Sequence, residues 1–533
     1  MKNTRFLLAA LLAVCGMVWS MTGCAKKEAP GAGKKERVTI KVEVFDRGSD
    51  GGRTNPADNR WTRWIQEKLL KDENITVEFV AINRWDETSA LINLMAAGTP
   101  PDVCITYSGA NITNWSEQGG VFDMAPYINT VLKDANEFLG PDQALPGRRM
   151  IERQKNNESG AIYALPARRM NVARFNTFMR KDWLDALGLP VPKTTQEFYD
   201  ALLAFKERDP GGAGAGKVIP FSMTGVRVDM DACNLLDSFI DPSLSSRERW
   251  INSVAERSFL VPGYKEGVRF LNTMYNAGLV DRDFPLYKDG ETFANLIKSG
   301  AVGAFIQNWD QIYRDSNNIL LDLQKNIPGA DLVPVDCFTS SDGLTHKVCY
   351  DAAGAFTFIP KSSKHPEAAM RYLNWLSKYE NYHFIQTGPE GAVHTLVDGV
   401  PKLNTAAPDG WIQNSPQNID YTLIMNGLFL GSDEENIRAL AAGYSWPAAR
   451  INEAYTVAMT NARPPVVISP KAPLLAEGPL NQTLTDKAVV IFAKSIMAAP
   501  GQFDAVYDAQ VKDWLDSGAR KVIDERREKY AEP

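Results

Sequence analysis

The stretch TSALINLMAAGTPPDVCITYS, residues Thr88–Ser108, decides the fold of this chain. Its first half carries apolar side chains at helical spacing, namely Leu91, Leu94 and Met95. That spacing predicts a short helix with one apolar face. Gly98 and the two prolines behind it predict the end of the helix, because proline lacks the backbone donor and keeps the preceding residue out of the helical region.

The second half of the stretch, VCITY, is a short apolar run with β-branched side chains. Such a run is typical of a strand that is buried on both faces. A helix that leads into a buried strand predicts an α/β sheet, in which ligands bind beyond the carboxyl ends of the parallel strands. We therefore expect Tyr107 to lie at the rim of a site.

Two further strands precede this one in the sequence. Val38–Phe45 (VTIKVEVF) is followed by a helical pattern and by a second strand at Ile75–Ala81. This order predicts the βαβ units of a parallel sheet. Asp46 and Arg47 end the first strand, so we expect them to share one edge of the sheet with Tyr107.

Length and charge limit the class of protein. The chain has 533 residues, of which 44% are hydrophobic, so it can bury full cores and exceeds one ordinary domain. Its formal net charge is −6, and residues 1–23 contain Lys2 and Arg5 but no acidic residue, so their removal brings the charge to −8. There is no basic stripe, which argues against a nucleic-acid partner.

The N-terminus has the pattern of a secretory signal. A basic start precedes an apolar run, Phe6–Gly23, which is at the short limit for a membrane span. The Thr-Gly-Cys that ends at Cys24 resembles a bacterial lipobox, with Met21 in place of the usual leucine. The resemblance implies cleavage before Cys24 and acylation of its thiol. We expect a signal peptide at 1–23 and a lipid-anchored tether at 24–37, with plain secretion as the alternative.

The cysteines give no metal-ligand spacing, so we expect no metal and no other cofactor. Cys104 is expected to be a buried strand residue, and Cys233 has no evident partner. Cys337 and Cys349 flank a turn at Asp342-Gly343, which puts them nearly opposite each other on a hairpin. In an exported protein they either form a disulfide or stay unpaired, and the sequence leaves both alternatives open.

Catalytic motifs are absent from the sequence. The four histidines are scattered, and neither HExxH nor GxSxG occurs. A carboxylate pair of a glycoside hydrolase remains an alternative, because its spacing is spatial rather than sequential. The 12 tryptophans and 17 tyrosines suit a carbohydrate ligand, since aromatic rings stack on sugar rings while Asp, Asn and Arg bond to hydroxyls. We expect a binding protein and not an enzyme.

The passage Ile162–Pro210 resembles a known family. It contains RKDWLDALGLPVPKTTQEFYDALLAFKERDP and is similar to large sugar-binding lipoproteins of ABC transporters, in which "FIRKDWLDKLGL…P.T.DEFY..L.AFK..DP" recurs. LMAAGTPPDV resembles their "LMAAGDLPDIV", and Gly388–Leu403 resembles their hairpin "G.EG..YTLVDGKPK". The likeness runs from about Val38 to Tyr530 and identifies the chain as a member of the family-1 extracellular solute-binding proteins.

The resemblance implies an α/β fold of the two-lobed periplasmic-binding-protein type II, with the ligand cleft between the lobes. The expected lobes are residues 38–170 plus 350–383 and residues 171–349 plus 384–533. The expected chain crossings lie near Ala167–Val172, His346–Ala353 and Lys378–Thr387.

The function implied is that of a monomeric substrate-binding component of an ABC importer, on the extracytoplasmic face of the membrane. Such a protein closes over an oligosaccharide by hinge motion and delivers it to membrane permease subunits. One alternative is a surface-anchored polysaccharide hydrolase or lyase. Another is a binding module that feeds a sensor kinase.

Expected ligand-binding residues follow from the strand ends and the resemblance. Relatives place sugar contacts where this chain has Asn308, Trp309 and Asp310. Opposite them we expect Arg168, Arg169, Tyr107, Asp46 and Arg47, with Trp446, Trp411, Trp85 and Trp115 as further aromatic candidates. Adjacent strand residues face opposite ways, so at most one of the two neighbouring arginines should reach the cleft. The arginines are compatible with an acidic sugar, because guanidinium pairs bidentately with carboxylate.

One segment departs from the family pattern. Some relatives continue with a calcium loop that resembles "DPDGNGKKDE", whereas Asp209–Lys217 reads DPGGAGAGK. Calcium takes six or more oxygen ligands, and here Gly and Ala replace the ligating side chains, so we expect no calcium. The same glycines imitate a phosphate loop, but Val218 stands where Ser or Thr is required and the loop follows a helix, so we expect no nucleotide.

Overall fold

The computed structural model describes residues 37–48, 54–212, 214, 216–315, 317–404, 410–411 and 413–531. The predicted signal peptide, Cys24 and the tether up to residue 36 lie outside these residues. The strands are β1 (Val38–Asp46), β2 (Ile75–Asn83), β3 (Cys104–Thr106), β4 (Leu165–Arg169), β5 (Phe175–Arg180), β6 (Ile219–Phe221), β7 (Val302–Asn308), β8 (Leu332–Val335), β9 (Ala353–Phe358), β10 (His394–Val397), β11 (Val400–Leu403) and β12 (Met425–Asn426).

The helices pack on both faces of the sheets. In chain order they are α1 (Arg60–Glu73), α2 (Glu87–Ala96), α3 (Gly109–Glu117), α4 (Lys133–Leu139), α5 (Lys181–Leu187), α6 (Thr195–Arg208), α7 (Val228–Asp231), α8 (Cys233–Ser238), α9 (Ser246–Asn252), α10 (Tyr264–Asn276), α11 (Gly290–Lys298), α12 (Ile319–Asn326), α13 (Pro366–Leu376), α14 (Tyr379–Thr387), α15 (Ile419–Thr422), α16 (Asp433–Ala442), α17 (Ala448–Met459), α18 (Glu477–Ile496), α19 (Phe503–Trp514) and α20 (Arg520–Lys529).

The stretch Thr88–Ser108 folds into a helix and a buried strand, which confirms the prediction. α2 ends at Ala96, and Gly98 follows with φ = 69°, a left-handed conformation that favours glycine. Leu91 is fully buried, whereas Leu94 and Met95 are half-buried and pack beside it. All three residues of β3 are buried. This order places Tyr107 directly after the strand.

The first sheet begins with the predicted parallel strands. β1 pairs with β2 over its whole length, and a parallel bridge between Val42 and Val103 joins β1 to the segment that enters β3. The order then continues β3-β9-β4-β12. β9 is antiparallel to β3 and β4, because it starts beside the end of β4, where Ala353 pairs with Arg168. The sheet is therefore mixed.

The second sheet has the strand order β6-β7-β5-β8. β6 is parallel to β7, whereas β5 is antiparallel to both of its neighbours. Every residue of β5 is buried, as expected for a strand covered on both faces. Asn308 at the end of β7 pairs with Phe175 at the start of β5, so the end of β7 lies beside the point where the chain enters this sheet.

Each sheet has its own hydrophobic core. The core of the first sheet includes Trp61 and Trp375, and the core of the second includes Trp183 and Trp514, each at most 1% exposed. Separate cores of this kind are the packing expected of two lobes.

The lobe boundaries stay a prediction, although the packing favours one change. Ile385, Tyr421 and Ile424 lie in the core of the first sheet, and β12 extends that sheet. The segment up to about Asn426 therefore packs with the first sheet and not with the second. The crossing expected at Lys378–Thr387 is instead occupied by α14, whose buried side chains pack on the first core.

In the family-like passage the sequence spacing of Thr194 and Glu197 predicts a capping box at the start of a helix, and the structure forms it. The N–H of Glu197 donates to Oγ1 of Thr194 at 3.1 Å, and the N–H of Thr194 donates to Oε2 of Glu197 at 3.2 Å, which closes the expected capping box of α6. Phe198, Leu202 and Phe205 form the fully buried face of this helix. The capping box thus fixes the start of a helix that packs on the second sheet.

The C-terminal helices cover the second core. Phe503, Tyr507, Val511 and Trp514 of α19 are buried there. α18 is the longest of the described helices, with 20 residues. Among the described residues, no helix combines the length and the apolar composition needed to cross a membrane.

Cys337 and Cys349 are free, buried thiols, so the disulfide alternative is not realised. A bridge between Thr339 and Thr345 forms the turn of the expected hairpin. Beyond it, the N–H of Cys349 donates to the carbonyl of Arg463 at 2.8 Å. The second arm therefore pairs with the chain near residue 463, which explains why the two thiols are not joined.

Candidate functional site

The end of β1 and the end of β3 meet at one edge, as predicted. Nη2 of Arg47 donates to the hydroxyl of Tyr107 at 3.2 Å. Nε and Nη2 of Arg47 also bond the two carboxylate oxygens of buried Asp420 at 2.7 and 2.8 Å. Asp46 is exposed, and its Oδ1 accepts the N–H of Gly48 at 2.9 Å. The charge of Arg47 is thus already matched by an acid.

Tyr107 is held in place from several sides. Its backbone N–H donates to Oε1 of Glu87 at 3.0 Å, and the guanidinium of Arg84 lies 4.0 Å from the centre of its ring. The neighbouring Trp85 is 76% exposed, which makes it the most exposed of the large apolar side chains described. The sequence did not single out Arg84, because its role depends on the fold of the β2–α2 turn.

The residues after β7 do not all face outward. Trp309 is 2% exposed and contacts the ring of Tyr455 edge-on at 5.4 Å, so its ring offers no free face to a ligand. Asp310 is buried in an ion pair with Arg314 at 2.6 Å and accepts the hydroxyl of Tyr444 at 2.6 Å. This packing corrects the expectation that both side chains line a cleft.

The other tryptophan candidates are scattered. Trp446 is half-buried and packs against Tyr313 and Arg450. Trp411 packs edge-on against Trp61 at 4.8 Å, and Trp115 is buried beside Phe358. The structure brings none of these three described rings into contact with Tyr107.

Arg168 and Arg169 point to opposite sides of β4, as their adjacency predicts. Nη1 of Arg168 donates to the carbonyl of Phe138 at 2.9 Å, and its guanidinium lies near the rings of Phe138 and Phe429. The guanidinium of Arg169 instead lies 4.4 Å from the ring centre of Tyr350. Arg168 is therefore tied to the first lobe, and Arg169 faces the second chain crossing.

The first two predicted crossings run side by side. The N–H of Arg169 donates to the carbonyl of Ala352 at 2.7 Å, and the N–H of Tyr350 donates to the carbonyl of Val172 at 2.8 Å. These two bonds join the segment between β4 and β5 to the segment between β8 and β9. Side chains on either segment therefore lie between the two sheets.

Four half-buried residues meet at this junction, and we call them the arginine–tyrosine cluster. They are Arg169, Arg174, Asn308 and Tyr350. The guanidinium of Arg174 lies 5.5 Å from the ring centre of Tyr350, and the hydroxyl of Tyr350 donates to Oδ1 of Asn308 at 2.7 Å. Sequence reasoning missed Arg174 and Tyr350, although both lie within or just after crossings that it located.

The two arginines of the cluster have no acidic side chain in contact among the described residues. Neither Arg169 nor Arg174 forms an ion pair within the described part of the chain, and the Nε of each is buried without a hydrogen-bond acceptor there. Burial lowers the pKa of Arg174, but nearby ionisable groups, Asp237 and Glu256 among them, outweigh this effect and raise the pKa. Burial is the main cause that lowers the pKa of Arg169, while the hydroxyls of Tyr350 and Tyr107 oppose it. Tyr107, at the edge of the first sheet, is thus near enough to Arg169 to act on its charge.

A half-buried acid, Asp237, acts electrostatically on Arg174. Burial raises the pKa of Asp237 to about 6, an effect that Arg174 and Arg249 oppose. Asp237 forms no ion pair with either arginine in the described structure. The charge of Asp237 therefore lowers the positive potential at Arg174, but the two side chains are not in contact.

The described side chains include no cluster with the arrangement of a metal site. No group of three or more His, Cys, Asp or Glu residues described here is arranged to hold a metal ion. In the segment that departs from the family pattern, Oδ2 of Asp209 accepts the N–H of Gly214 at 2.7 Å. The absence of calcium from this loop stays a prediction.

Residues 54–382, more than half of the chain, match the family described as bacterial extracellular solute-binding protein. The chain belongs to this family. The family assignment made from the sequence is confirmed, and with it the two-lobed α/β fold.

Solved structures of other solute-binding proteins share this fold. The alginate-binding protein AlgQ2, solved without calcium ion, superposes with a TM-score of 0.63 at 16% identity over 93% of this chain and 98% of its own. FusA of S. pneumoniae in complex with kestose gives the same TM-score and identity over 92% of this chain and 98% of its own. At this identity the likeness shows the fold alone.

Curated relatives of this solute-binding protein align over varying lengths. Lipoprotein LipO of Bacillus subtilis is 24% identical over 395 residues, 71% of this chain and 72% of LipO. The polygalacturonan/rhamnogalacturonan-binding protein YtcQ of B. subtilis is 21% identical over 99% of this chain and 98% of its own. The fructooligosaccharide ABC transporter substrate-binding protein FusA of Streptococcus pneumoniae is 25% identical, but only over 41% of each chain.

Proposed function

We propose that this chain is the substrate-binding component of an ABC importer and that it captures an oligosaccharide between its two lobes. The observation that carries the proposal is the arginine–tyrosine cluster, which takes side chains from the ends of both sheets. The ring of Tyr107 and the polar groups of Asn308 and Arg169 are of the types that bind sugars. Of the predicted site residues, the proposal keeps these three together with Asp46, Arg47 and Arg168 at the rim.

Ligand capture is proposed to occur by hinge closure. A sugar that contacts side chains of both lobes binds the closed arrangement more tightly than the open one, so it shifts the population toward closure. The paired crossings between β4 and β5 and between β8 and β9 are the natural site of the bend. The closed form would then be recognised by the permease, and the sugar released without chemical change.

The names of relatives support a carbohydrate ligand. One is described as binding fructooligosaccharides and another as binding polygalacturonan and rhamnogalacturonan. The first class is neutral and the second carries carboxylates, so the proposal covers neutral and acidic oligosaccharides.

We also propose that the protein is anchored by lipid at Cys24 and acts as a monomer on the extracytoplasmic face of the membrane. The lipobox resemblance supports this. Labelling of expressing cells with radioactive palmitate should mark the wild-type chain, and Cys24→Ala should lose the label and leave the membrane fraction. Retention of label by that variant would refute acylation at this residue.

A thermal-shift screen against a panel of oligosaccharides tests the central proposal. A ligand at about 100 times its Kd stabilises the folded chain by ~2.7 kcal/mol, so a hit raises the melting temperature. Analysis of the sugar after incubation separates binding from the alternative of a hydrolase or lyase. A hit with intact sugar supports a binding protein, whereas shortened chains would overturn that assignment.

A further inference from the structure

The two arginines of the arginine–tyrosine cluster differ from three other arginines near the strand ends, which are paired with acids. Arg47 is paired with Asp420, and Arg314 is paired with Asp310. Nη1 of Arg84 likewise lies 3.3 Å from Oε2 of Glu87. Arg169 and Arg174, in contrast, form no ion pair in the described part of the chain. Arg168 also lacks an acidic partner, but its Nη1 donates to the carbonyl of Phe138. The fold thus gives each of these four neighbouring cations a partner and gives Arg169 and Arg174 neither an ion pair nor a side-chain hydrogen bond among the described residues.

The two unmatched guanidinium groups share one neighbour, the ring of Tyr350. Both lie against the ring of Tyr350, at 4.4 and 5.5 Å from its centre, and the hydroxyl of that ring is fixed by Asn308. The charge of Arg174 lowers the pKa of Arg169, in addition to the larger effect of burial. Two like charges at a half-buried position destabilise each other unless an anion lies between them.

Arg169 and Arg174 belong to different lobes. Arg169 is the last residue of β4 in the first sheet, whereas Arg174 immediately precedes β5 in the second. The buried Nε atoms lack acceptors among the described groups, while no terminal guanidinium nitrogen of either residue is buried without a partner. The forks of both residues are thus open to a ligand that enters between the lobes.

We propose that Arg169 and Arg174 form a clamp for a carboxylate, so that the captured sugar is an oligosaccharide containing a uronic acid. This inference rests on the proposed function, since it assumes that a sugar binds between the lobes. Guanidinium binds carboxylate through parallel N–H···O bonds, and such charge-assisted bonds are stronger than those to a neutral hydroxyl. An anion that contacts both arginines also joins the two lobes and so favours closure.

The test compares acidic trisaccharides with neutral partners of the same linkage. Trigalacturonate, trimannuronate and cellotriuronate are titrated calorimetrically into the full-length chain, beside galactotriose, mannotriose and cellotriose. At least one acidic sugar should bind about 10-fold more tightly than its neutral partner. Neutral sugars that bind as tightly as their acidic partners would overturn the clamp and leave the proposed function standing. Binding of no sugar in either set would overturn both.

Variants then assign the effect to the two residues. Arg169→Gln and Arg174→Gln should each lower the affinity for the acidic trisaccharide by about 10-fold. The affinity for any neutral sugar that binds should stay within about 2-fold of the wild-type value. The matched control is Arg282→Gln, because the guanidinium of Arg282 also lies over a tyrosine ring, that of Tyr275 at 5.0 Å, but Arg282 is exposed and belongs to neither crossing. Unchanged acidic affinity in both site variants would refute the clamp.

A second readout does not depend on the folding of any variant. In the wild-type chain, the affinity for the acidic trisaccharide should fall as NaCl rises from 0.05 to about 0.5 M, while the affinity for a neutral partner should not, since salt screens charge pairing. Equal salt dependence for both sugars would contradict the proposal.

Discussion

The hydroxyl of Tyr350 donates a hydrogen bond to Oδ1 of Asn308 at 2.7 Å, which ties the second chain crossing to the end of β7. The same tyrosine receives the guanidinium of Arg169 over its ring, so one residue links an arginine of the first sheet to an amide of the second. If the crossings bend as proposed, this contact couples the bend to the side chains proposed to bind the ligand.

Tyr350→Phe should keep the ring and lose this bond. We expect a loss of about 1 kcal/mol in the free energy of unfolding, because Oδ1 of Asn308 loses its donor. The matched control is Tyr372→Phe, since the buried hydroxyl of Tyr372 has no partner among the described residues and its removal should be neutral or stabilising. Denaturant unfolding measures both. Equal losses in the two variants would show that the Tyr350 bond contributes nothing.

Trp309→Ala and Trp85→Ala should differ strongly in their effect on stability. Trp309 is 2% exposed, so its truncation should cost about 3–5 kcal/mol, whereas Trp85 is 76% exposed and its truncation should change stability by less than about 0.5 kcal/mol. Denaturant unfolding of the two variants is the measurement. A stable Trp309 variant with weakened sugar binding would restore that residue to the site.

The pH dependence of stability should include a contribution from Asp237. Burial raises the pKa of this carboxyl from 3.8 to about 6, so between these pH values the folded chain retains a proton that the unfolded chain has released. This contribution therefore falls as the pH rises from about 4 to about 6. The free energy of unfolding of Asp237→Asn should exceed that of the wild type by up to ~3 kcal/mol above pH 6 and should equal it near pH 4. Denaturant unfolding at each pH measures this difference.

The same substitution tests the charge of the cluster. Arg174, Arg249 and Asp229 are the charged groups that act on Asp237. Removal of the Asp237 charge leaves Arg174 more electropositive, so Asp237→Asn should bind the acidic trisaccharide more tightly than the wild type at pH 7. The affinities of the two proteins should become equal as the pH falls below 6, because the wild-type carboxyl then takes up a proton. A weaker affinity in the variant would mean that Asp237 itself contacts the sugar.

Reducing agent should leave the stability of the chain unchanged. Cys337 and Cys349 are free thiols, whereas a disulfide between them would contribute about 2–4 kcal/mol that dithiothreitol removes. Unfolding with and without dithiothreitol tests this, and Cys337→Ser serves as a control for oxidation during purification. A loss of stability on reduction in the wild type alone would show that the bond forms.

The fold followed from the sequence wherever the cause was local. The helix–strand order of Thr88–Ser108 and the capping box of Thr194 and Glu197 depend on residues a few positions apart, and both were predicted correctly. The antiparallel entry of β9 was not predicted, because it depends on a partner strand almost 190 residues earlier in the chain. Patterns within one segment do not specify pairing at that distance.

The site was predicted less completely for the same reason. Arg47 and Tyr107 were placed together correctly, since both follow strands of one parallel set. Trp309 was assigned to the cleft because it follows a strand end, but its ring turns toward Tyr455 of α17, which no nearby pattern indicates. Arg174 was missed because its lack of an acidic partner is visible only once the whole surrounding fold is known.

The order of the strands has a consequence for how the chain matures. All four strands of the second sheet have been synthesised once Val335 is made, whereas the first sheet lacks β9 until residue 358 and β12 until residue 426. The inner sheet is thus nested within the sequence of the outer one. The second core, however, also takes side chains from the C-terminal helices up to Ile523, whereas the first core is complete at Ile424. Contacts of such large sequence separation form slowly, so a chain folding as it is synthesised should complete the first core before the second.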